Sequence, residues 1–274
     1  METSVTLAAL QEMKREGRKI VGIVAYECQM ARIADRAGVD IVSVGDSVGI
    51  NLWGHAGELE VTLDEMILAC RAVRRGVRRA LVSCDFPFGP LQEGSDSAVR
   101  TAVRLVKEGG ADMVKLDGAA AFPEAVEAIT RAGIPVWAQF GITPHTAMRY
   151  GGMGKAGPEL SAQMKDSLVR EATALEQAGA ALLDFTNSGP VAGPAVVSAV
   201  SIPVIGGLGG GPWLDGRVRA AFAAVGYLAS AIDDTTTERY AHLARTALEA
   251  IQTLADDVRT GRQIRGAGAR TVRT

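Results

Sequence analysis

Residues 20–47, IVGIVAYECQMARIADRAGVDIVSVGDS, decide the fold because they contain one complete strand, helix and strand unit. The runs that begin at Ile20 and Val39 are nearly continuous in Val and Ile, which is typical of parallel strands that are covered on both faces. Between them, CQMARIADRAG has a helical pattern and ends in glycine, where a left-handed C-cap is expected. Comparable runs follow at nearly even intervals, namely ALVSCDF from Ala80, DMVKLDG from Asp112, IPVWAQFG from Ile134, ALLDFT from Ala181, IPVIGGL from Ile202 and a weaker AAVGYLA near Ala223.

Eight such units predict an α/β protein, a (β/α)₈ TIM barrel in a single domain over residues 1–274, with the barrel spanning about 19–230. An amphipathic N-terminal helix precedes the barrel, and a long C-terminal helix is predicted at about 235–260. An open doubly wound sheet is the rival fold, but no G-x-G-x-x-G follows the first strand. The glycine-rich run GGLGGGPWLDG, residues 206–216, follows the seventh strand instead, as either a backbone anion site or a turn that needs positive φ.

Composition excludes several classes of function. The chain is 47% hydrophobic and 22% charged, which is ordinary for a soluble globular protein. Its 29 basic and 31 acidic residues give a net charge of −2 without a basic block, so neither nucleic acid nor a membrane surface is an expected partner. Cys28, Cys70 and Cys84 lack C-x-x-C spacing, which argues against a disulfide framework or a structural zinc site and favours the cytoplasm.

Acidic residues end three successive predicted strands, as Asp46, Asp85 and Asp117. The C-terminal ends of barrel strands converge on one face, so these carboxylates could meet around a single divalent metal ion. Two alternatives stay open at this level. Asp46 is placed to cap a helix, and Lys115 could simply form an ion pair with Asp85 or Asp117.

A series of motifs in one order points to a known family. The motifs are AYECQMARIADRAGVDIVSVGDSVG, VTLDEMILACRAVRRG, the D-x-P-F-G of residues 85–89, VKLDG, FGITPHT, LEQAGAALL and SIPVIGG, between about Lys19 and Gly226. Together they resemble ketopantoate hydroxymethyltransferase, in the phosphoenolpyruvate mutase and isocitrate lyase superfamily. The resemblance implies a (β/α)₈ barrel that binds Mg²⁺ and a 2-oxo acid at the strand ends, and it implies a ring-based homo-oligomer.

The resemblance also implies roles for individual residues. Asp46 and Asp85 stand where the direct metal ligands of the family lie, and Asp117 replaces a family glutamate and would reach the metal through water. Ser47 and Lys115 match residues that hold the carboxylate and the keto group of the substrate. A 2-oxo acid chelates Mg²⁺ through these two groups, and the metal then stabilises the enolate that forms when a proton leaves C3.

The position of the family's acid/base differs in this chain. In the family a glutamate ends the sixth strand near C3 of the substrate, and Thr186 stands at that position here. Threonine cannot abstract a proton from carbon at neutral pH without a partner, and removing a positioned base costs about 10² to 10⁴ in rate. Asp184 lies two residues earlier on the same strand face, as either a relocated base or a buried, hydrogen-bonded side chain.

Further departures lie where a one-carbon donor would bind. Gln139 stands where the family has histidine, and His145 stands where it has glutamine. The family's loop lysine is displaced to Lys155, and its His-Asp pair falls on Phe222 and Ala223. The residues implied to bind the metal and the 2-oxo acid are therefore kept, and those implied to surround the one-carbon donor are changed.

These residues predict a metal-dependent enzyme that forms the enolate of a 2-oxo acid and transfers a hydroxymethyl unit to C3, with methylenetetrahydrofolate as a candidate donor. Asp184, His145 or a water molecule would take the C3 proton. The predicted catalytic residues are Lys115, Asp184, Thr186 and His145, and the predicted substrate-binding residues are Ser47, Asp85, Lys115 and Gln139. One alternative is a lyase or hydrolase that cleaves a C–C or activated bond of a 2-oxo acid without folate. Another is a non-catalytic barrel that binds a 2-oxo acid.

Overall fold

The computed structural model of the chain describes residues 4–152, 157–262 and 264–266. Eight parallel strands pair in chain order and close into a barrel, which confirms the predicted fold and excludes the open sheet. The strands are β1 (Ile20–Val24), β2 (Ile41–Val44), β3 (Leu81–Asp85), β4 (Met113–Leu116), β5 (Val136–Gly141), β6 (Leu182–Thr186), β7 (Val204–Gly206) and β8 (Gly216–Ala220). Strands β2, β4 and β6 are buried along their whole length, as their continuous apolar sequences require.

Helices lie between most of these strands along the chain. They are α1 (Leu7–Arg15), α2 (Cys28–Arg36), α3 (Leu63–Gly76), α4 (Ser95–Arg104), α5 (Pro123–Arg131), α6 (Pro158–Gln163), α7 (Lys165–Gln177), α8 (Ala192–Ala199), α9 (Ala221–Ala224) and α10 (Leu243–Arg259). The predicted N-terminal helix is α1. The C-terminal helix begins at Leu243 rather than near residue 235, because Asp234 accepts hydrogen bonds from the backbone of Thr236 and Thr237 in a turn.

The predicted eighth strand was wrong. Residues 216–220, GRVRA, form β8 and pair with β1, whereas the segment near Ala223 lies in and after the short helix α9. Val218 packs into the barrel core, and Arg217 and Arg219 are exposed. The two arginines interrupt the apolar run that the sequence analysis looked for. Their alternation with Val218 is nevertheless the two-residue period of a strand with one solvated face.

The chain divides into two compact units, Met1–Ala220 and Ala221–Thr274. The first unit contains the complete barrel with α1 to α8, and the second contains α9, α10 and a 3₁₀ turn at Ala229–Ala231. Within the described ranges, no helix is both long and apolar enough to cross a membrane. A single domain over residues 1–274 and a homo-oligomeric assembly stay predictions.

The barrel interior is apolar at its N-terminal end and polar at its C-terminal end. Leu10 and Met13 of α1 close the N-terminal end over inward-facing side chains, which are Ile20, Ile41, Met113, Trp137, Leu182, Ile205 and Val218. Because side chains alternate along a strand, residues two positions after Met113 and Leu182 point to the same side. Those residues are Lys115 and Asp184, so a layer of buried charge lies directly above the apolar core.

The glycine-rich run between β7 and β8 is a tight turn. Gly209 has a φ of +72°, and a Cβ there would lie 3.0 Å from the Cα of Asn187. Glycine is therefore required both by the left-handed backbone and by the close approach of a second chain segment. The positive φ and the close contact explain why this turn needs glycine at residue 209. An anion site in the run stays a prediction.

Candidate active site

Lys115 occupies the centre of the polar layer at the C-terminal end of the barrel. Its side chain leaves β4, and the residue is only 8% exposed. The Lys115 Nζ lies 3.2 Å from Asp85 Oδ2 on β3 and 3.4 Å from Asp184 Oδ2 on β6. Burial opposes the charge, but the surrounding carboxylates raise the pKa of Lys115 above its ordinary value. A charged ammonium group therefore faces the barrel interior, and its predicted pairing with Asp85 is confirmed.

Gln139 and Thr186 extend the network around Lys115. The Lys115 Nζ donates to Gln139 Oε1 at 2.5 Å, and Gln139 Nε2 donates to Thr186 Oγ1 at 2.9 Å. Both side chains are buried, on β5 and β6 respectively. The position where the family resemblance expects a glutamate thus holds a neutral hydroxyl that an amide keeps in place.

Buried carboxylates surround this network with an excess of negative charge. Burial, reinforced by the charges of Asp46 and Asp184, raises the pKa of Asp85 to about 7 in spite of the neighbouring Lys115. Burial also raises the pKa of Asp184, whose Oδ1 has no hydrogen-bond partner among the described residues. The site therefore binds protons near neutral pH more tightly than free carboxylates do.

His145 links two of the three predicted metal ligands. Its Nε2 lies 3.1 Å from Asp46 Oδ2 and its Nδ1 lies 3.8 Å from Asp117 Oδ2. Burial lowers the pKa of His145, but the hydrogen bond to Asp46 and the charge of Asp117 raise it above the ordinary value. Asp46 does not cap a helix, since the turn that follows, Gly49–Trp53, has no side-chain cap.

Ser47 is held by two residues that the sequence analysis missed. The Tyr26 Oη and the Ser47 Oγ lie 2.8 Å apart, and Asn51 Nδ2 donates to the Ser47 carbonyl at 2.8 Å. Burial raises the pKa of the Tyr26 phenol. Tyr26 follows the C-terminal end of β1, and that location on the functional face of the barrel was the available signal.

Comparison with known proteins identifies the family. The model of the family described as Ketopantoate hydroxymethyltransferase matches residues 4–263. The 3-methyl-2-oxobutanoate hydroxymethyltransferase of Cyanothece sp. strain PCC 7425 is 41% identical over 267 residues, which cover 96% of this chain and 99% of that protein. The chain belongs to the ketopantoate hydroxymethyltransferase family.

Solved structures of other enzymes share the fold of this chain. The 2,3-dimethylmalate lyase, a PEP mutase/isocitrate lyase superfamily member, superposes with a TM-score of 0.58 at 14% identity, covering 93% of this chain and 87% of that chain. A complex of phosphonopyruvate hydrolase with oxalate and Mg²⁺ has a TM-score of 0.56 at 15% identity, covering 97% and 90%. At these identities the similarity shows the shared barrel.

The carboxylates of this ketopantoate hydroxymethyltransferase family member fit a hard divalent cation. Burial raises the pKa of Asp117, and its Oδ1 has no hydrogen-bond partner in the described part of the chain. Over the same residues, no three His, Cys, Asp or Glu side chains form a ready metal-binding group. Mg²⁺ usually keeps several waters and takes one or two protein carboxylates. The arrangement thus fits a cation that is held by two carboxylates and water, and it does not fit a closed all-protein cage.

Glu58 is a further charged residue that the sequence analysis missed. It begins a short 3₁₀ turn, Glu58–Glu60, in the loop between β2 and α3, and it is half-buried. Burial raises the pKa of Glu58, and the charges of Asp46 and Asp117 add to the effect. The only signal in the sequence was its place on the second βα loop, since no motif surrounds it.

The predicted residues thus form two neighbouring groups in this family member. The first is Lys115, Asp85, Asp184, Gln139 and Thr186, and the second is Asp46, His145 and Asp117. The charges of Asp46 and Asp117 act on the pKa of Lys115, which connects the two groups. Ser47 follows Asp46 directly, and Lys155 lies outside the described residues.

Proposed function

We propose that this protein forms the enolate of a 2-oxo acid and transfers a hydroxymethyl or similar one-carbon unit to its C3. The buried ammonium of Lys115 carries the proposal. Enolisation places negative charge on the former keto oxygen, and a fixed cation in a water-poor interior stabilises that charge more than it stabilises the neutral carbonyl. The relative from Cyanothece, whose name contains 3-methyl-2-oxobutanoate, supports a branched 2-oxo acid as substrate.

Asp46 and Asp85 would hold a divalent cation such as Mg²⁺, with Asp117 reaching it through water. When bound there, the cation would polarise the carboxylate and keto oxygens of the oxo acid. The partnerless Asp117 Oδ1 supports this set, and so does the raised pKa of Asp85, because a bound cation would satisfy the first and would favour the deprotonated form of the second. The same fold in phosphonopyruvate hydrolase has been solved with oxalate and Mg²⁺, which supports this class of ligand.

The remaining residues would orient the substrate. Lys115 would direct its Nζ at the keto oxygen, and Gln139 limits the movement of that ammonium through a 2.5 Å hydrogen bond. Ser47 would donate its hydroxyl to the substrate carboxylate, and Tyr26 fixes that hydroxyl. Thr186 would position Gln139 rather than abstract a proton, since its hydroxyl is bound to the amide.

The C3 proton needs an acceptor, and Asp184, His145 and water are the predicted candidates. Asp184 has one oxygen next to Lys115 and one oxygen without a partner among the described residues. His145 has each ring nitrogen facing a carboxylate. Deprotonated, each of these side chains has a lone pair for general base catalysis.

Exchange of the C3 hydrogen for deuterium tests the proposal most directly. Purified protein would be mixed in D₂O with a panel of 2-oxo acids, with and without Mg²⁺, and followed by proton NMR. We expect exchange that requires Mg²⁺ and disappears in Asp85→Ala. Adding methylenetetrahydrofolate should then convert the exchanging acid into its hydroxymethyl product. Metal binding without exchange for any acid would count against enolisation.

A lyase or hydrolase of the same superfamily is the second candidate, and Thr186 favours it. A site without a carboxylate at the end of β6 suits cleavage of a C–C or activated bond more easily than abstraction of a C3 proton. Turnover of a 3-substituted 2-oxo acid that is indifferent to methylenetetrahydrofolate would support this candidate. Binding of Mg²⁺ and an oxo acid with neither exchange nor turnover would support a non-catalytic barrel.

Self-association and a cytoplasmic location complete the proposal. Helix α10 exposes 63% of Ile251 and 57% of Val258, and an apolar helix face of this kind suits packing between subunits. The free thiols of Cys28, Cys70 and Cys84 suit a reducing compartment. Light scattering of the purified protein would show the assembly as a mass that is a multiple of 28.6 kDa.

A further inference from the structure

The second βα loop is folded back against its own start. It leaves the barrel at Asp46 and enters α3 at Leu63. The His55 backbone N–H donates to the Gly49 carbonyl at 2.9 Å, and His55 Nε2 lies 2.9 Å from Glu65 Oε1 in the first turn of α3. This closure holds the intervening turn, which carries Glu58, on the same barrel face as Asp46.

Glu58 is a half-buried carboxylate that this loop leaves without an internal partner. Across the described residues, no hydrogen bond or ion pair engages its side chain. The charges of Asp46, His145, Asp117 and Lys115 nevertheless influence the pKa of Glu58. These four residues lie at or after the ends of three different strands. Burial is the largest influence and raises the pKa of Glu58, which makes its carboxylate a stronger base than a free one.

The other candidate bases are less accessible, although Asp184 also keeps one oxygen without a partner among the described residues. Asp184 is 3% exposed, lies two residues deeper than Thr186 and has its Oδ2 next to Lys115. His145 has both ring nitrogens turned toward carboxylates. Glu58 combines proximity to the site, partial exposure and unengaged oxygens.

We propose that Glu58 is the general base for the C3 proton of the 2-oxo acid. This inference rests on the proposed function and names its base. The Glu58 carboxylate takes the proton, the electrons of the C3–H bond form the C2–C3 double bond, and the electrons of the C2–O double bond move to oxygen beside Lys115. Glu58 is then a carboxylic acid, exchanges this proton for deuterium from D₂O and returns the deuterium to C3.

The test compares Glu58→Gln with Glu60→Gln, an exposed neighbour on the same turn. We expect Glu58→Gln to lower the rate of C3 exchange by about 10² to 10⁴, with KM for the oxo acid changed by less than about threefold. Glu60→Gln should stay within about twofold of the wild type. The part of the rise in rate with pH that comes from ionisation of Glu58, which lies among Asp46, His145, Asp117 and Lys115, should be absent in Glu58→Gln. The part that comes from deprotonation of Asp85 for metal binding should remain in both proteins. Thermal unfolding of each variant checks folding.

Chemical rescue adds a second readout that a structural role would not give. Formate should restore exchange in Glu58→Ala and should have no effect on wild type or Glu60→Gln. If Glu58→Gln exchanges the C3 hydrogen as fast as the wild type does, the role of Glu58 is overturned and the proposed function is not. Absence of exchange in the wild type would overturn the proposed function and this role with it.

Discussion

The two ends of the barrel each place a lysine at the edge of the core, and the two lysines differ in their partners. At the N-terminal end, the Lys14 Nζ donates to the carbonyl oxygens of Val197, Val200 and Ile202 at 3.2, 3.0 and 2.8 Å. It also pairs with Asp215 at 3.1 Å. The Lys14 ammonium thus forms an ion pair with one carboxylate, and its other hydrogen bonds go to neutral carbonyl oxygens.

At the C-terminal end, Lys115 lies among more carboxylates than cations. Asp85 and Asp184 contact its Nζ, and Asp46 and Asp117 act on it from further away. Both Asp117 and Asp184 keep one oxygen without a partner among the described residues. Because both lysines are largely buried and only their partners differ, buried charge by itself does not mark a functional site. An unbalanced group of buried carboxylates does, because only there can a further cation be stabilised.

Replacement of each lysine by methionine gives the largest expected contrast. Lys115→Met should lower the rate of C3 exchange by about 10³, or about 4 kcal/mol in activation free energy, because the enolate loses its cation. Lys14→Met should lower the free energy of unfolding by about 3 kcal/mol, because Asp215 and the carbonyl oxygens lose their donor. Deuterium exchange by NMR and urea unfolding measure the two effects.

The control for this pair is exchange per folded molecule. Lys14→Met should match the wild type once the rate is corrected for the folded fraction, because Lys14 lies at the opposite end of the barrel from the proposed substrate. A loss of exchange in Lys14→Met as large as that in Lys115→Met would remove the functional distinction between the two ends.

Stability against pH is the second contrast. Asp85 has a pKa of about 7 in the folded protein and an ordinary value of 3.8, so the folded state binds more protons between these values. Stability of the metal-free protein should therefore fall as pH rises through this window. The raised pKa values of Asp117, Asp184 and His145 act in the same direction. Urea unfolding in EDTA across this pH range measures the slope.

Two changes should flatten this pH dependence. Asp85→Asn removes a carboxyl group whose pKa rises from 3.8 to about 7 on folding. Mg²⁺ should stabilise the protein more at the alkaline end, because carboxylates must be deprotonated to bind it. If the free energy of unfolding of the wild type in EDTA did not change with pH, excess negative charge would not destabilise the polar layer.

The barrel could be predicted from the sequence because strands that are covered on both faces are rich in apolar residues, and the predicted segments at β1 to β7 follow that rule. β8 departs from that rule, since Arg217 and Arg219 interrupt it, and it was therefore placed too late in the chain. The start of α10 was missed for a different reason. Its boundary depends on a local turn at Asp234, and helical periodicity does not report such side-chain to backbone bonds.

The site residues at the C-terminal ends of strands could be predicted from the sequence. Asp46, Asp85, Asp117 and Lys115 end parallel strands, and the barrel brings such ends together. The contacts of His145 with Asp46 and Asp117 were not predictable, because they depend on how the loop after β5 folds. Glu58 was missed for the same reason, since periodicity says nothing about a loop that returns toward its own start.

Thr186 offers a smaller and more specific contrast. Thr186→Val keeps the shape but leaves Gln139 Nε2 without its acceptor, which should cost about 1–3 kcal/mol of stability. If Thr186 only positions Gln139 and Lys115, we expect exchange to fall by about tenfold. A direct role in proton transfer would cost about 10² to 10⁴ instead. Thr186→Ser, which keeps the hydroxyl, should remain near wild type in the same NMR assay.

The smallest expected effects come from two threonines that cap helices at opposite ends of the barrel. Thr6 accepts a hydrogen bond from Ala9 N at the start of α1, and Thr62 accepts one from Glu65 N at the start of α3. Replacing either by alanine should cost about 1 kcal/mol in urea unfolding. Only Thr62→Ala should also slow exchange, by severalfold, because Glu65 anchors the loop that carries Glu58. Equal exchange in both variants, at equal loss of stability, would mean that the position of this loop does not affect proton transfer.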